Sequence, residues 1–316
     1  MSMSGSRSAA VRFPRTSSIP FALLPAVIAI AAWSVGCASG PAPVPYPHVS
    51  VMTVLAELDI FLNRDPYTQP AGRDLEGGNI FRVSLVRIQT LEELFGEEYA
   101  DVLLYSKGQC HERLSAWKVA ANAFEAAARH GTSLADEATR HGQAARRMSD
   151  LLDQASRGMT IEGFHLAALE KHLGDWLDEG PAWPYDPFIR MQIERALEGR
   201  ARLLFANRLV LQNGVRQAIE VAERLVEECA DSHRHTEHLL LHGGFYESLA
   251  RDWTALNPPQ SMLLGELDDR WSHWVAQARR AYLEVAHADG DPVKLEGQKR
   301  LGVLDAYSLR VRSLAR

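Results

Sequence analysis

The stretch that decides the fold is YADVLLYSKGQCHERLSAWKVAANAFEAAARHGTSL, residues 99–134. Its apolar residues recur at intervals of three and four, which is the period of an α-helix. The pattern breaks near Ser115 and therefore predicts two helices of about a dozen residues joined by a short turn. Gly108 and Ala120 are small, and we expect them to lie where the two helices approach each other closely.

A related pattern begins 34 residues downstream, because Gly108-Gln109 in GQCHERL is matched by Gly142-Gln143 in GQAARRM. The two heptapeptides share the glycine, the glutamine, an arginine and a final apolar residue. A fixed spacing of this length is typical of helical repeats, in which stacked helix pairs bury a continuous core. Sustained alternation of apolar and polar residues, the pattern of a strand, is not found after residue 49.

Four residues at fixed spacing resemble the tetratricopeptide repeat (TPR), with small residues placed around an aromatic one: Gly108, Ala120, Phe124 and Ala127. The best repeat covers residues 101–134, a partial repeat follows at 135–157, and degenerate repeats cover 187–316. The resemblance implies that residues 49–316 form an all-α, TPR-like superhelix of about ten to twelve antiparallel helices. Arrays of this family bind peptides or protein surfaces, so the resemblance implies a partner protein or peptide and no enzymatic activity.

The degenerate repeats rest on two fainter sets of residues. The first set has the spacing of small and apolar repeat positions: Ala206, Ala218, Ala222 and Leu225. The second set fits another first helix: Leu239, Gly243 and Tyr246. Both sets predict close contacts between helices in the second half of the chain.

Capping and breaking residues predict several helix boundaries. Asn79 is expected to cap a helix that runs to Phe95. Asp186 followed by Pro187 predicts a helix start, and Asn213-Gly214 predicts the end of that helix.

The N-terminus has the order of a secretory signal peptide. Three arginines and no acidic residue come first, followed by an apolar run from Phe21 to Val35. That run contains Pro25 and is too short to cross a hydrocarbon layer of about 30 Å.

The segment Ser34-Val35-Gly36-Cys37 resembles the lipobox of bacterial lipoproteins. The alternative is an ordinary signal peptide whose cysteine is incidental.

The lipobox resemblance implies that residues 1–36 are removed and that a covalent lipid is attached to Cys37. The residues that follow, 37–48, contain four prolines and favour an extended tether. Because Ala38 replaces the aspartate that retains such proteins in the inner membrane, the resemblance implies a lipid anchor at the periplasmic face of the outer membrane. The predicted location is therefore the cell envelope, with the membrane contacted through the anchor.

Charge argues against nucleic acid as a partner. The chain has 34 basic and 40 acidic residues, and removal of the leader with its three arginines leaves 31 basic residues and a formal charge of −9. Phosphate binding requires clustered cations, which an acidic domain of this kind does not favour.

The two cysteines of the helical part, Cys110 and Cys229, are compatible with one disulfide or with two buried thiols.

The segment CADSHRHTEHLLLHGG contains the strongest candidates for metal ligands. His235, His238 and His242 share one helix face, and the last two have the i,i+4 spacing at which two imidazoles can bind one metal ion. A zinc or copper site, in a metal-binding protein or an enzyme with its centre at residues 233–242, is therefore the alternative function. The other interpretation is a polar helix start that binds nothing, in which case no cofactor is expected.

Trp271 and Trp274 are the candidates for contact with a partner. Their i,i+3 spacing places them on one helix face, where two aromatic rings can line a groove for a peptide or a glycan. The same spacing is also common among core residues. The sequence leaves both interpretations open.

Overall fold

The computed structural model describes residues 50–180, 185–261, 269–290 and 292–315. Within these ranges the protein is all-α, with eleven α-helices that belong to one compact unit and a short 3₁₀ helix at Pro259–Ser261. None of the described helices combines the length and the apolar character needed to cross a membrane. The predicted signal peptide, Cys37 and the tether lie outside the described residues.

The helices are numbered in chain order. Their bounds are α1 Val51–Leu62, α2 Ile80–Phe95, α3 Ala100–Arg113, α4 Trp117–Ala128, α5 Ala135–Arg157, α6 Phe164–Asp178, α7 Asp186–Ala206, α8 Gly214–Glu228, α9 His235–Leu256, α10 Asp269–His287 and α11 Lys294–Leu314. The all-α fold class and the expected number of helices are confirmed for the described part of the chain.

Each helix packs mainly against its neighbours in the chain, and α9 also contacts α11. The buried apolar residues form four clusters that follow one another, across α1–α3, α3–α5, α4–α7 and α7–α11. Because successive clusters share helices, the core passes from one helix pair to the next instead of surrounding a single centre.

The helix pair α3 and α4 has the geometry that the opening stretch predicts. α3 ends at Arg113 and α4 begins at Trp117, so the predicted turn is confirmed. Ser115 has a φ of 57°, and the N–H of Ala116 donates a hydrogen bond to the carbonyl of His111 at 2.9 Å. This positive φ reverses the chain within three residues and allows the helices to pack side by side.

Phe124 explains the repeated glycines. A Cβ at Gly108 would lie 2.6 Å from Cε1 of Phe124, and a Cβ at Gly142 would lie 3.5 Å from its Cβ. Phe124 itself is 0 % exposed. Two glycines 34 residues apart therefore contact the same aromatic side chain, one from α3 and one from α5.

The same contact between a small and a large residue recurs near the C-terminus. A Cβ at Gly243 in α9 would lie 2.7 Å from Cε1 of Tyr282 in α10. A Cβ at Gly297 in α11 would lie 2.7 Å from Cγ1 of Val285. Of the fainter repeat positions, Ala206 is exposed, so it does not take part in such a contact.

The predicted end of α7 is wrong. The helix ends at Ala206, where Asn207 donates a side-chain hydrogen bond to the carbonyl of Leu203 at 2.9 Å. Asn213, with a φ of 57°, is instead the cap residue that precedes α8, and Gly214 begins that helix. A Cβ at Gly214 would lie 2.8 Å from the backbone of Arg208, so this tight turn requires glycine. The Asn-Gly pair therefore lies at the start of a helix here.

The start of α7 differs by one residue from the prediction. Asp186 is the first residue of the helix and Tyr185 holds the cap position without a side-chain cap bond. Pro187 lies in the first turn, as expected, because its missing N–H has no helical partner there.

We expect Gly108→Ala to destabilise the protein by about 1–3 kcal/mol, because the new methyl group overlaps the ring of Phe124, which is enclosed by neighbours. The matched control is Gly302→Ala in α11, where no atom lies within 4 Å of the added Cβ. The control should gain up to about 1 kcal/mol from helix propensity. Denaturant unfolding followed by circular dichroism measures both, and equal effects would refute the close contact.

Candidate functional site

Trp271 belongs to the core, and Trp274 lies at the edge of the core. Trp271 is 0 % exposed, and its indole N–H donates a hydrogen bond to the hydroxyl of Tyr307 at 3.3 Å. Trp274 is partly buried and packs against the same cluster of buried residues. Since Trp271 is completely covered by its own chain, it does not line a groove that a partner could enter.

The three histidines of α9 do not act together. His238 is 1 % exposed, and its Nε2 lies 3.0 Å from Oε1 of Glu194 in α7. His235 and His242 line a separate cavity against α8 and α10. Within the described part of the chain, no three His, Cys, Asp or Glu side chains are arranged to hold a metal ion. The predicted ligand set is therefore divided between two environments.

Glu194 is the centre of a buried polar cluster. Its side chain is 2 % exposed, and the hydroxyl of Ser232 lies 3.0 Å from both carboxylate oxygens, so its one hydrogen is shared between them. A guanidinium nitrogen of Arg234 lies 3.7 Å away. A buried carboxylate is costly unless it is hydrogen-bonded and paired, and these groups supply those contacts.

The loop after α1 packs onto this cluster. The backbone N–H of His233 donates to the carbonyl of Tyr67 at 3.1 Å, and His233 Nδ1 lies 2.9 Å from the same oxygen. Tyr67 is buried, and burial beside Cys229 and Glu194 raises its pKa above the usual range. Arg113 donates a hydrogen bond to the carbonyl of Arg64 at 2.8 Å, which attaches the same loop to α3.

Sequence analysis did not identify Tyr67 or Glu194. Tyr67 and His233 are 166 residues apart, and no local pattern connects them. For Glu194 a signal existed, since it precedes Leu197 by three residues and Ala201 by seven, and both are 0 % exposed. A glutamate on an apolar stripe of a helix predicts a buried, paired carboxylate.

A second buried pair lies between α3 and α5. Oε1 of Glu112 is 3.2 Å from Nδ1 of His141, and both residues are buried. The imidazole is surrounded by the rings of Phe124, Tyr105 and Tyr185, with centroids 5.0 to 5.7 Å away. Burial raises the pKa of Glu112, and the neighbouring His141 opposes that shift.

The two cysteines are free, buried thiols in different core clusters. Burial raises the pKa of Cys110 to about 12 and that of Cys229 to about 11. The sequence allowed either one disulfide or two buried thiols, and the structure has two buried, unpaired thiols. Neither is activated as a nucleophile, because both are protonated at neutral pH.

Two cavities that share lining residues lie along α5. One, against α4, has a volume of about 750 Å³, and the other, against α6, has a volume of about 350 Å³. Leu151 and Gln154 line both, so we treat them as one feature, the α5 groove. At the α6 end the lining is mainly apolar and includes Phe164, which is 66 % exposed. Met159 and Ile161 are also exposed in the adjoining turn.

The charges along the α5 groove are largely paired within the chain. Arg146 contacts Glu125 at 2.6 Å, and Arg147 contacts Glu179 at 2.7 Å. The guanidinium of Arg147 also lies 4.4 Å from the ring centroid of Trp176. The α5 groove therefore has an apolar end beside α6 and a polar, charged end beside α4.

Comparison with known proteins gives no further guide to function. No protein-family model matches this sequence, and no curated protein is similar enough to count as a match.

We expect Glu194→Gln to lower the free energy of unfolding by about 1–3 kcal/mol, because the amide cannot accept the bonds that both carboxylate oxygens accept. Hydrogen exchange of the amides at 64–69 should accelerate, since the α1–α2 loop packs on this cluster. The matched control is Glu57→Gln, which removes an exposed ion pair with Arg87 and should cost less than about 1 kcal/mol. Unchanged exchange at 64–69 would contradict the coupling.

Glu112 generates a prediction about pH. Because the folded-state pKa lies above the ordinary value of 4.5, the native state retains the proton when the unfolded chain has lost it. This group therefore lowers stability as pH rises through 4.5 toward its folded pKa. Glu112→Gln does not titrate, so unfolding experiments should show the variant gaining stability relative to the wild type as pH rises above the ordinary value of 4.5. A difference that is constant with pH would contradict the burial effect.

Proposed function

We propose that this chain is a bacterial lipoprotein whose TPR-like helical array acts as a protein–protein interaction scaffold in the cell envelope. The anchor is a lipid on Cys37 and the location is the periplasmic face of the outer membrane. The order of charged, apolar and small residues before Cys37 supports this anchor. Two or more acyl chains on one residue would make the attachment lasting.

Nearest-neighbour packing supports the TPR-like part of the proposal. Short turns join several successive helices, such as α3 and α4, and small residues such as Gly108 let neighbouring helices approach. In arrays of this kind each helix pair adds to an extended surface, which suits the binding of a peptide or protein surface.

The observation that carries the binding role is the α5 groove. Its two cavities, about 750 and 350 Å³, give an elongated concave surface with Phe164 exposed at one end. Exposed aromatic and apolar side chains in a groove are typical of protein-recognition surfaces. The groove replaces the tryptophan pair as the proposed site of partner contact.

The alternative of a metal-binding protein or enzyme centred on residues 233–242 has less support. His238 faces Glu194 in the interior, and the two other histidines are left without a third ligand among the described residues. The buried carboxylates of Glu112 and Glu194 are 3 % and 2 % exposed, so neither contacts a substrate in this conformation.

A photo-crosslinking amino acid at Gln154, in the α5 groove, should give covalent adducts with an envelope protein in intact native cells. The same residue placed at Glu93, exposed on α2, is the matched control and should not give them. Cys37→Ala should move the protein from the membrane to the soluble fraction and abolish the lipid mass at the mature N-terminus. Equal adducts from both positions, or a native protein with an unmodified Cys37, would overturn the proposal.

A further inference from the structure

The outward face of α11 is apolar. Leu295, Gly302 and Leu309 follow one another at intervals of seven residues, and all three are exposed, the two leucines by 75 % and 69 %. The buried residues of the helix have the same spacing two positions later: Gly297, Leu304 and Val311. Because two residues correspond to a rotation of about 200° in an α-helix, the two stripes lie on opposite sides. One therefore faces the core and the other faces solvent.

Ala306 and Ser313 continue the outward stripe, since each lies four residues after Gly302 or Leu309 and both are exposed. We call Leu295, Gly302, Ala306, Leu309 and Ser313 the α11 stripe. A Cβ added at Gly302 would have no atom within 4 Å. The described part of the chain therefore leaves the centre of the α11 stripe uncovered.

α8 has the composition that is normal for a solvent-facing surface. Its exposed residues are all polar: Arg216, Gln217, Glu220, Glu223, Glu227 and Glu228. A surface helix normally has one apolar stripe, which it buries, and a helix that is apolar on opposite sides is normally covered on both. The α11 stripe therefore indicates a contact beyond the described part of the chain.

The symmetry of the α11 stripe favours a second copy of this chain as the partner. Leu295 lies seven residues before Gly302, and Leu309 lies seven residues after it. When two α11 helices pack antiparallel with their Gly302 residues opposite each other, Leu295 of each copy meets Leu309 of the other. The small residues Gly302 and Ala306 allow the two helix axes to approach closely. A contact of one surface with itself closes a two-fold dimer.

Charges beside the α11 stripe favour the antiparallel direction. Glu296, six residues before Gly302, pairs with Arg300 at 2.8 Å, whereas Arg310 forms no ion pair with the described residues. In the antiparallel dimer, Arg310 lies within one helical turn of Glu296 of the second copy, on the same side of the contact. In a parallel dimer, Arg310 and Lys299 would each lie beside their own copies, and like charges would repel.

We propose that the α11 stripe is a dimerisation surface, at which two copies of this chain pack their α11 helices antiparallel about a two-fold axis at Gly302. α11 has 21 residues and is about 30 Å long, so one helix pair gives an interface at the small end of the usual range. We therefore expect a reversible dimer with a dissociation constant in the micromolar range. The surface shares no residue with the α5 groove.

Cysteine crosslinking tests both the contact and its direction. The full-length chain carries Cys37→Ser, so that the two buried thiols are the only native ones. After mild oxidation, Gly302→Cys should form a covalent dimer by itself. Leu295→Cys and Leu309→Cys should each remain monomeric alone, because identical positions lie about 21 Å apart along an antiparallel pair, and should crosslink when the two variants are mixed.

Sedimentation equilibrium measures the dimer without a crosslink. Gly302→Glu places two like charges opposite each other on the two-fold axis and should weaken the dimer at least tenfold. The matched control is Gln217→Glu, which adds the same charge to the exposed face of α8 and should leave the dissociation constant unchanged. Circular dichroism checks that both variants are folded.

A chain that stays monomeric up to millimolar concentration would overturn the proposal, as would equal weakening by the two glutamate variants. Covalent dimers of Leu295→Cys alone would mean parallel packing and would contradict the proposed geometry. Equal crosslinking of Gln217→Cys would mean random collision. These measurements require neither the lipid on Cys37 nor the α5 groove, so the dimer and the proposed scaffold function can fail separately.

Discussion

The buried carboxylate of Glu194 is the interaction on which the arrangement of the array depends. It accepts a hydrogen bond that the hydroxyl of Ser232 shares between its two oxygens, and it lies 3.0 Å from His238. Tyr67 packs nearby against Cys229. These contacts connect α7, the α8–α9 turn, the start of α9 and the loop after α1. A charge removed from water is tolerated only when such partners are fixed in place, so the carboxylate requires all of these segments to be positioned together.

This requirement changes what a stack of helices can do. In a simple repeat array each helix pair contacts only its neighbours, and the ends are independent of each other. Here the contact between Tyr67 and His233 joins residues from opposite halves of the chain. Opening of the first helices therefore also disturbs the turn before α9, and the array gains cooperativity that neighbour contacts alone would not supply.

The sequence predicted the features of the fold that depend on contacts within one helix or between neighbouring helices. Helical periodicity identified the helices, and the small residue at Gly108 identified a close approach, because both effects act within one or two neighbouring helices. The helix end predicted at Asn213-Gly214 was wrong, since the same dipeptide is suited to a helix end and to a tight turn before a helix start. Trp271 was a candidate for partner contact and His238 for metal binding, but both are buried. Spacing along one helix face is the same for core residues and for binding residues. Tyr67 could not be predicted, as its partner is distant in sequence.

The carboxylates of this protein divide into a buried class and an exposed class, and only the buried class constrains how the helices pack. Glu112 and Glu194 are buried, and their own chain satisfies them, so they hold helices together and are closed to ligands. Glu227 and Glu284 are exposed at a cavity and form no ion pair among the described residues. Exposed carboxylates without an ion pair also occur elsewhere among the described residues, for example at Glu93 and Glu97, and such solvated charges contribute little to the stability of the fold. The carboxylates that constrain the fold are therefore the buried ones, because each of them must keep its partners in place.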